Sequence, residues 1–236
     1  MAEASAPGRP AAVAGRTVLV AGAGSASGAA AARVLVAAGA RAIAVGRDDQ
    51  KLARLSESVP ADAAGTVRTA ACDLTDEGAV DALAAALRGD GERIDGILHL
   101  VGGWRGGGGL PGQTDEDYRA LESGLTALRH VTRAFWTDLV ASPSARVAIV
   151  SSTAVERPLA GGANYAAVKA AEEAWARAMA QGFAKAARDD GQPLRAASVI
   201  FRVKALTGLE DALATGFTRL WDAAAPDVND TVIPLD

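Results

Sequence analysis

The sequence predicts an α/β chain folded as a doubly wound parallel sheet in a single domain, and three observations carry that expectation. Short apolar runs alternate with segments of helical composition, the pattern of a parallel sheet covered by helices on both faces. A glycine-rich turn joins the first run to the first helix, at the kind of strand end where such sheets bind ligands. With 236 residues, 50% of them apolar, and no internal repeat or second composition regime, one large domain is favoured over two small ones.

The elements follow in order. Residues 17–23 (TVLVAGA) form a β-branched run that ends at glycine, and residues 29–38 have helical composition and stop at Gly39. Residues 42–45 give a second strand, 49–58 a helix, 66–71 a third strand and 77–88 another helix. Residues 94–101 (IDGILHLV) are a fourth strand, 115–140 a long helix and 146–150 a fifth strand. A helix over 164–188 and a sixth strand over 196–201 complete the alternation. Near the C-terminus Leu209, Leu213, Phe217, Leu220 and Trp221 share a helical stripe, read as core in preference to a pocket lid.

Composition narrows the function classes. A formal net charge of -4 gives no basic footprint, which argues against a nucleic-acid partner and leaves a small molecule. Cys72 is the only cysteine, so no intrachain disulfide or cysteine-rich metal site forms, and His99 and His130 alone make zinc a poor fit. No stretch approaches the roughly 20 apolar residues of a membrane span. Residues 1–15 are interrupted by Glu3, Pro7, Gly8, Arg9 and Pro10 and are expected to be a disordered leader on a cytoplasmic protein, with residues 16–236 as the folded domain.

The loop Gly22-Ala23-Gly24-Ser25-Ala26-Ser27-Gly28 lies between the first strand and its helix. Missing side chains there let the backbone approach a pyrophosphate, and the helix amino end favours its charge. Taken alone this fits flavin, nicotinamide or adenosylmethionine binders. The second strand ends in Val45-Gly46-Arg47-Asp48, with no carboxylate where one would hold both ribose hydroxyls of NAD. Arg47 can meet a 2'-phosphate, which favours NADP(H) with NAD(H) as the alternative, unless Arg47 is a solvated cation partnered by Asp48 or Asp49. Asp73, after the third strand, suits either the adenine amino group or the cap of the next helix.

Tyr165 and Lys169 stand four residues apart, about one helical turn, and Ser152 lies thirteen residues before Tyr165. An unperturbed tyrosine, with a pKa of about 10, is a poor acid or base near neutrality until a neighbouring cation stabilises its phenolate. Ser152 could then hold a carbonyl oxygen while Tyr165 delivers the proton. In isolation the Tyr165 and Lys169 pair also fits an exposed i,i+4 contact. Residues 102–112 (GGWRGGGGLPG) are the one low-complexity stretch, either a floppy connector or a mobile active-site flap with Trp104 as its apolar contact.

Together these residues resemble the short-chain dehydrogenase/reductase family, over about residues 17–207. The family's first-strand motif appears as residues 21–28, with Ala21 and Ala26 replacing its threonine and middle glycine. Asp73 and Leu74 match its adenine-binding pair, and Ser152, Tyr165 and Lys169 match its catalytic set in type and spacing. The resemblance implies a Rossmann fold and a carbonyl or alcohol substrate, with Tyr165 protonating the oxygen as hydride arrives and Lys169 bonding the nicotinamide ribose. It further implies that Gly22, Gly24, Ser25, Ser27, Gly28, Arg47, Asp73, Leu74, Val101, Gly102, Tyr165, Lys169 and Thr207 contact the cofactor. A homodimer or homotetramer packed through the two long helices is implied too, with Ala166, Ala167, Ala170, Ala171 and Ala174 small enough for close approach, though these residues would equally suit packing on the sheet.

Three departures stand out. His99-Leu100-Val101-Gly102 replaces the family's Asn-Asn-Ala-Gly, so His99 must pair differently or leave a polar gap. Gly124 falls where an asparagine normally holds a relay water, leaving proton return to Ser123 or bulk water. Arg202-Val203 replaces the Pro-Gly after the sixth strand, and Arg202 either attracts an anionic substrate or lies on the surface. Gly102-Gly103-Trp104 is similar to the dihydropteridine reductase branch. The expected activity is NADP-dependent carbonyl reduction or its reverse, and the altered Gly124 and Arg202 positions motivate an alternative, a nucleotide-binding regulatory or scaffold protein with weakened redox chemistry.

Overall fold

The computed structural model describes residues 11–236. The six expected strands form as β1 (Thr17–Ala21), β2 (Arg41–Gly46), β3 (Thr66–Ala71), β4 (Gly96–His99), β5 (Ala145–Ser152) and β6 (Ala196–Val203). A seventh, β7 (Thr231–Leu235), was not expected from the sequence. All pairings are parallel, in the order β3-β2-β1-β4-β5-β6-β7. β7 is short and carries Pro234, which cannot donate to a ladder and is tolerated because this strand lies on the edge.

Eight α-helices lie among the described residues: α1 (Ala26–Ala37), α2 (Asp49–Glu57), α3 (Glu77–Gly89), α4 (Asp115–Ala134), α5 (Trp136–Ala141), α6 (Ala163–Asp189), α7 (Glu210–Arg219) and α8 (Ala225–Val228). Side-chain oxygens of Ser25, Asp48, Asp76 and Thr114 accept backbone N–H bonds at the starts of the first four, which fixes where each begins. The long helix expected over 115–140 breaks at Phe135, whose φ of -101° ends α4. That turn sends Phe135 into the core and lets Trp136 stack on Phe183 of α6 at 4.7 Å. No helix among the described residues is long and apolar enough to cross a membrane.

Strand residues divide by the period of two. Val18, Val20, Ala42, Ala44, Leu98, Ala148 and Val199 face one layer with Leu35 of α1 and Leu213 and Phe217 of α7. Leu19, Ala21, Ile43, Val45, Ile97 and Val147 face the other, with Val80 of α3, Val131 of α4 and Phe183 of α6. Each fully buried leucine or phenylalanine stabilises the fold by about 1.5–3 kcal/mol. Leu213, Phe217, Leu220 and Trp221 are buried core, as expected for the C-terminal stripe, and Phe217 meets Trp221 edge-on at 5.2 Å.

The expected leader falls partly on residues 1–10, outside the described residues. Residues 11–15 depart from it: Ala14 N–H bonds Ala11 O at 2.8 Å, Gly15 N–H bonds Gly39 O at 2.9 Å, and Val13 is fully buried beside α1. The folded part therefore starts before Arg16. Strand order reverses between β1 and β4, which opens a crevice beyond the carboxyl ends of these strands.

Candidate active site

Two adjoining cavities fill that crevice. The larger, about 1270 Å³, is lined by Ser25, Ser27, Val101, Gly102, Trp104, Ser152, Tyr165, Lys169 and Thr207, among others. The smaller, about 370 Å³, is lined by Gly22, Gly24, Arg47, Asp73 and Leu74, and shares Ser25, Val101 and Gly102 with the first. Of the predicted site residues, only Gly28 lines neither cavity.

Gly28 serves from beneath. A Cβ on it would stand 2.4 Å from Ala23 Cα and 2.6 Å from Gly22 O, so only glycine lets α1 begin this close to the loop. Gly22 has φ +91°, and a Cβ there would meet the Leu100 backbone at 2.9 Å. Ser25 Oγ accepts from Gly28 N at 3.0 Å and donates to Gly22 O at 2.9 Å, closing the loop on itself. The result is a glycine-rich cradle at a helix amino end, with only the small Ser25 and Ser27 side chains lining it, which fits a pyrophosphate.

In the smaller cavity Arg47 follows β2, and Lys51, which the sequence reading missed, lines the same wall one turn on. Among the described residues neither makes an ion pair. Asp48, the partner considered for Arg47, instead caps α2 by accepting from Lys51 N at 3.0 Å. Asp73 does not cap α3, a role Asp76 takes. Its Oδ1 accepts from the Thr75 hydroxyl at 2.7 Å and Thr75 N at 3.0 Å, and these bonds hold its carboxyl below the usual range.

At the far end, Ser152 closes β5, while Tyr165 and Lys169 stand on the first two turns of α6. The buried Ser152 Oγ accepts from Ala154 N at 3.1 Å, which fixes the oxygen and leaves its O–H to donate into the cavity. Lys169 Nζ donates to Val150 O at 3.0 Å and to Glu172 Oε2 at 2.7 Å. Three side chains from two elements thus converge on one cavity, and the exposed-pair reading of Tyr165 and Lys169 falls away.

A family model described as short chain dehydrogenase matches residues 16–187. The chain belongs to the short-chain dehydrogenase/reductase family. Solved structures agree on the fold. A metagenomic short-chain oxidoreductase in complex with NADP superposes with a TM-score of 0.81 at 24% identity, covering 95% of this chain and 99% of that one. A gluconate 5-dehydrogenase from Burkholderia cenocepacia J2315 in complex with NADP and tartrate gives 0.79 at 21% identity, covering 94% of each chain. An NAD+-bound xylitol dehydrogenase gives 0.80 at 17% identity, covering 94% of this chain and 98% of the other. No curated protein matches.

This short-chain dehydrogenase/reductase rebuilds the three departing positions. His99, 2% exposed, donates from Nε2 to Gly124 O at 3.0 Å, while its Nδ1 has no partner, so it both pairs differently and leaves a polar gap. Ser123 does not replace the relay group, since its hydroxyl donates back to Ala120 O at 2.7 Å. The space beside Gly124 is taken by Glu172 instead, whose Oε1 would lie 2.9 Å from a Cβ at that position. Arg202 is neither a free anion site nor a surface cation: Nη2 donates to Glu173 Oε2 at 2.8 Å, and Nη1 pairs with Glu156. Glu172, which meets Lys169, and Glu173, which meets Ser151 and Arg202, were missed in the sequence reading, and their only sequence signal is a pair of acids three and four residues after Lys169.

Burial, with the nearby Lys169 charge as second cause, pushes the His99 imidazole down to about 3 from an ordinary 6.5. Between those values the unfolded chain takes up a proton that the folded chain refuses. Stability present above pH 6.5 is therefore lost as pH falls toward 3, by up to about 1.4 kcal/mol per unit. Urea melts across that window are expected to show a shallower loss in His99→Gln than in wild type, and parallel slopes would contradict the assignment.

The glycine-rich stretch at 102–112 is hydrogen-bonded to the turn before α6 near Gly107. Gly107 N–H bonds Gly161 O at 2.7 Å, and Gln113 Nε2 donates to Gly107 O at 3.0 Å and Gly161 O at 3.1 Å. Trp104 is thereby presented at the cavity rim with 67% of its surface exposed. Leu209, read with the core stripe, is half-buried and does not line the cavity, which the segment after β6 reaches through Leu206 and Thr207.

Proposed function

We propose that this protein is an NADP(H)-dependent oxidoreductase that reduces a carbonyl to an alcohol, or runs the reverse reaction, with Tyr165 as general acid/base. The carrying observation is that Ser152, Tyr165 and Lys169 line one cavity continuous with the glycine cradle at the start of α1. Gly22, Gly24, Ser25 and Ser27 would hold the pyrophosphate, with Gly28 letting the helix approach. Asp73 and Leu74 would border the adenine, and Val101, Gly102 and Thr207 the nicotinamide half. The bound dinucleotide supplies hydride to the carbonyl carbon. Ser152 donates a hydrogen bond to the carbonyl oxygen, Tyr165 gives that oxygen its proton, and Lys169 steadies the phenolate left behind.

Exposed Trp104 and Leu159, at 67% and 72%, border the substrate end and suit a carbonyl compound with an apolar substituent. Ala167, Ala170 and Ala174 lie on the exposed face of α6, and a homodimer or homotetramer through α4 and α6 belongs to the same proposal. The regulatory alternative loses its motivation, since Glu172 and Arg202 fill the two altered positions with ordered contacts. The direct test is oxidation of NADPH by the purified protein over a panel of apolar ketones, quinones and pterins. Turnover of at least one supports the proposal, and NADPH binding without turnover of any would overturn it.

Arg47 supports NADP(H) over NAD(H), because a 2'-phosphate would supply the anion that its guanidinium lacks here. Arg47→Ala is expected to weaken NADPH binding about 10- to 100-fold while NADH binding changes little. Equal losses for both cofactors, measured by calorimetry, would remove the preference.

A further inference from the structure

Glu172 is a buried carboxylate that the reaction described above does not use. It is 1% exposed, stands one turn after Lys169 on α6, and places Oε2 2.7 Å from Lys169 Nζ. An ammonium has three N–H donors. One is engaged by Val150 O at 3.0 Å and a second by Glu172, which leaves a single N–H for the cavity that Lys169 lines with Tyr165.

The surroundings are built to admit this carboxylate. On α4, Gly124 presents no side chain, and a Cβ there would stand 2.9 Å from Glu172 Oε1 and 3.0 Å from Val101 O. Of the elements packed around it, β5 offers the Val150 carbonyl and β4 offers His99, which is engaged with Gly124 O. The neighbouring Glu173 is turned to Ser151 and Arg202. Lys169 is thus the one cation facing Glu172 among the described residues. Burial pushes the Glu172 carboxyl up, and the Lys169 charge and hydrogen bond oppose that rise.

We propose that Glu172 is a positioning residue of the reaction, holding Lys169 Nζ through a buried ion pair so that its one remaining N–H is aimed at Tyr165 and the bound cofactor. This rests on the oxidoreductase reading. A lysine side chain has four rotatable bonds, and an ammonium held only by Val150 O could swing into the cavity. A carboxylate on the same helix, seated against a glycine, removes that freedom.

The test uses the full chain with Glu172→Gln and Glu172→Ala. Glu172→Ala is expected to lower kcat about 10- to 100-fold while KM for NADPH stays within about threefold, the pattern of a lost transition-state interaction. Glu172→Gln keeps an oxygen that can accept from Nζ but no charge, so its kcat falls between the two. Unchanged kcat in both variants would overturn the inference while leaving the oxidoreductase reading intact.

A readout independent of turnover separates the two ideas. The chain has only four lysines, Lys51, Lys169, Lys185 and Lys204, so nitrogen-15 spectra of the ammonium groups are simple. Wild type is expected to show one ammonium signal protected from solvent exchange, absent in Lys169→Met and lost in Glu172→Ala. Persistence of that signal in Glu172→Ala would overturn the positioning role, whether or not any carbonyl is reduced.

Discussion

Replacing Tyr165 with phenylalanine is expected to lower kcat about 100- to 10,000-fold, the range attributed to one positioned acid/base group, with NADPH affinity almost unchanged. The substitution removes one oxygen from a half-buried ring at the start of α6 and leaves the ring's packing in place. It spares Lys169, whose two observed bonds go to Val150 O and Glu172 and not to the tyrosine. The loss would therefore fall on the step in which oxygen receives its proton. Ser152 is not expected to compensate, since its oxygen is already held by Ala154 N–H and an aliphatic hydroxyl is a far weaker acid than a phenol. Rapid-mixing measurement of NADPH oxidation with a turned-over carbonyl, beside calorimetry of NADPH binding, checks both halves. A wild-type kcat in the Tyr165→Phe variant would remove Tyr165 from the chemistry.

What the sequence disclosed, and what it hid, follows from how far apart the interacting residues lie. Strand and helix alternation is local, and all six expected strands formed: β1, β2, β4, β5 and β6 are largely buried on both faces, while β3 is only partly buried at the sheet edge. The glycine cradle was legible for the same reason: Gly22, Ser25 and Gly28 close on one another within seven residues. β7 was hidden because its strand character depends on pairing with β6, and its Pro234 reads as a break in isolation. The turn at Phe135 was hidden because stacking of Trp136 on Phe183, distant in sequence, decides it.

At the site the division is the same. Ser152, Tyr165 and Lys169 follow a spacing that β5 and α6 convert into convergence. The partners that fix them could not be read this way. Glu172 matters only because Gly124, 48 positions earlier by sequence number, has no side chain to exclude it. Arg202 looked like a free cation until Glu173 and Glu156 came to it from α6 and the segment after Ser152. Lys51 joins Arg47 in the smaller cavity because α2 turns back over the end of β2.

Arg146→Ala is expected to destabilise the fold by about 3–5 kcal/mol, the scale of a large buried side chain deleted together with its hydrogen bonds. Arg146 opens the β5 pairing with β4 and is 2% exposed, yet no carboxylate meets it among the described residues. Its guanidinium instead gathers backbone carbonyls: Nε donates to Leu220 O at 2.8 Å, Nη1 to Ala145 O at 2.8 Å and Arg195 O at 3.1 Å, and Nη2 to Ala223 O at 2.7 Å. Burial, with Arg16 adding repulsion, holds it down to about 10, so it stays charged near neutrality. Those carbonyls belong to the turn after α7, the start of β5 and the residue before β6. Alanine would remove the donors that the buried Leu220 and Ala145 carbonyls meet here and open a cavity beside Trp221, which packs on Gly96 at a distance that excludes any Cβ. Lysine keeps the charge but has a compact ammonium that cannot span four divergent carbonyls, so Arg146→Lys should lose less than alanine and still lose stability. β5 runs from Arg146 at one end of the sheet to Ser152 at the other, which separates this anchor from the chemistry by the length of the strand. Urea melts should therefore show a lowered midpoint while kcat of the folded fraction stays near wild type. A wild-type midpoint in Arg146→Ala would show that the turn after α7 holds without it, through Trp221 Nε1–H to Ser144 O and apolar packing alone.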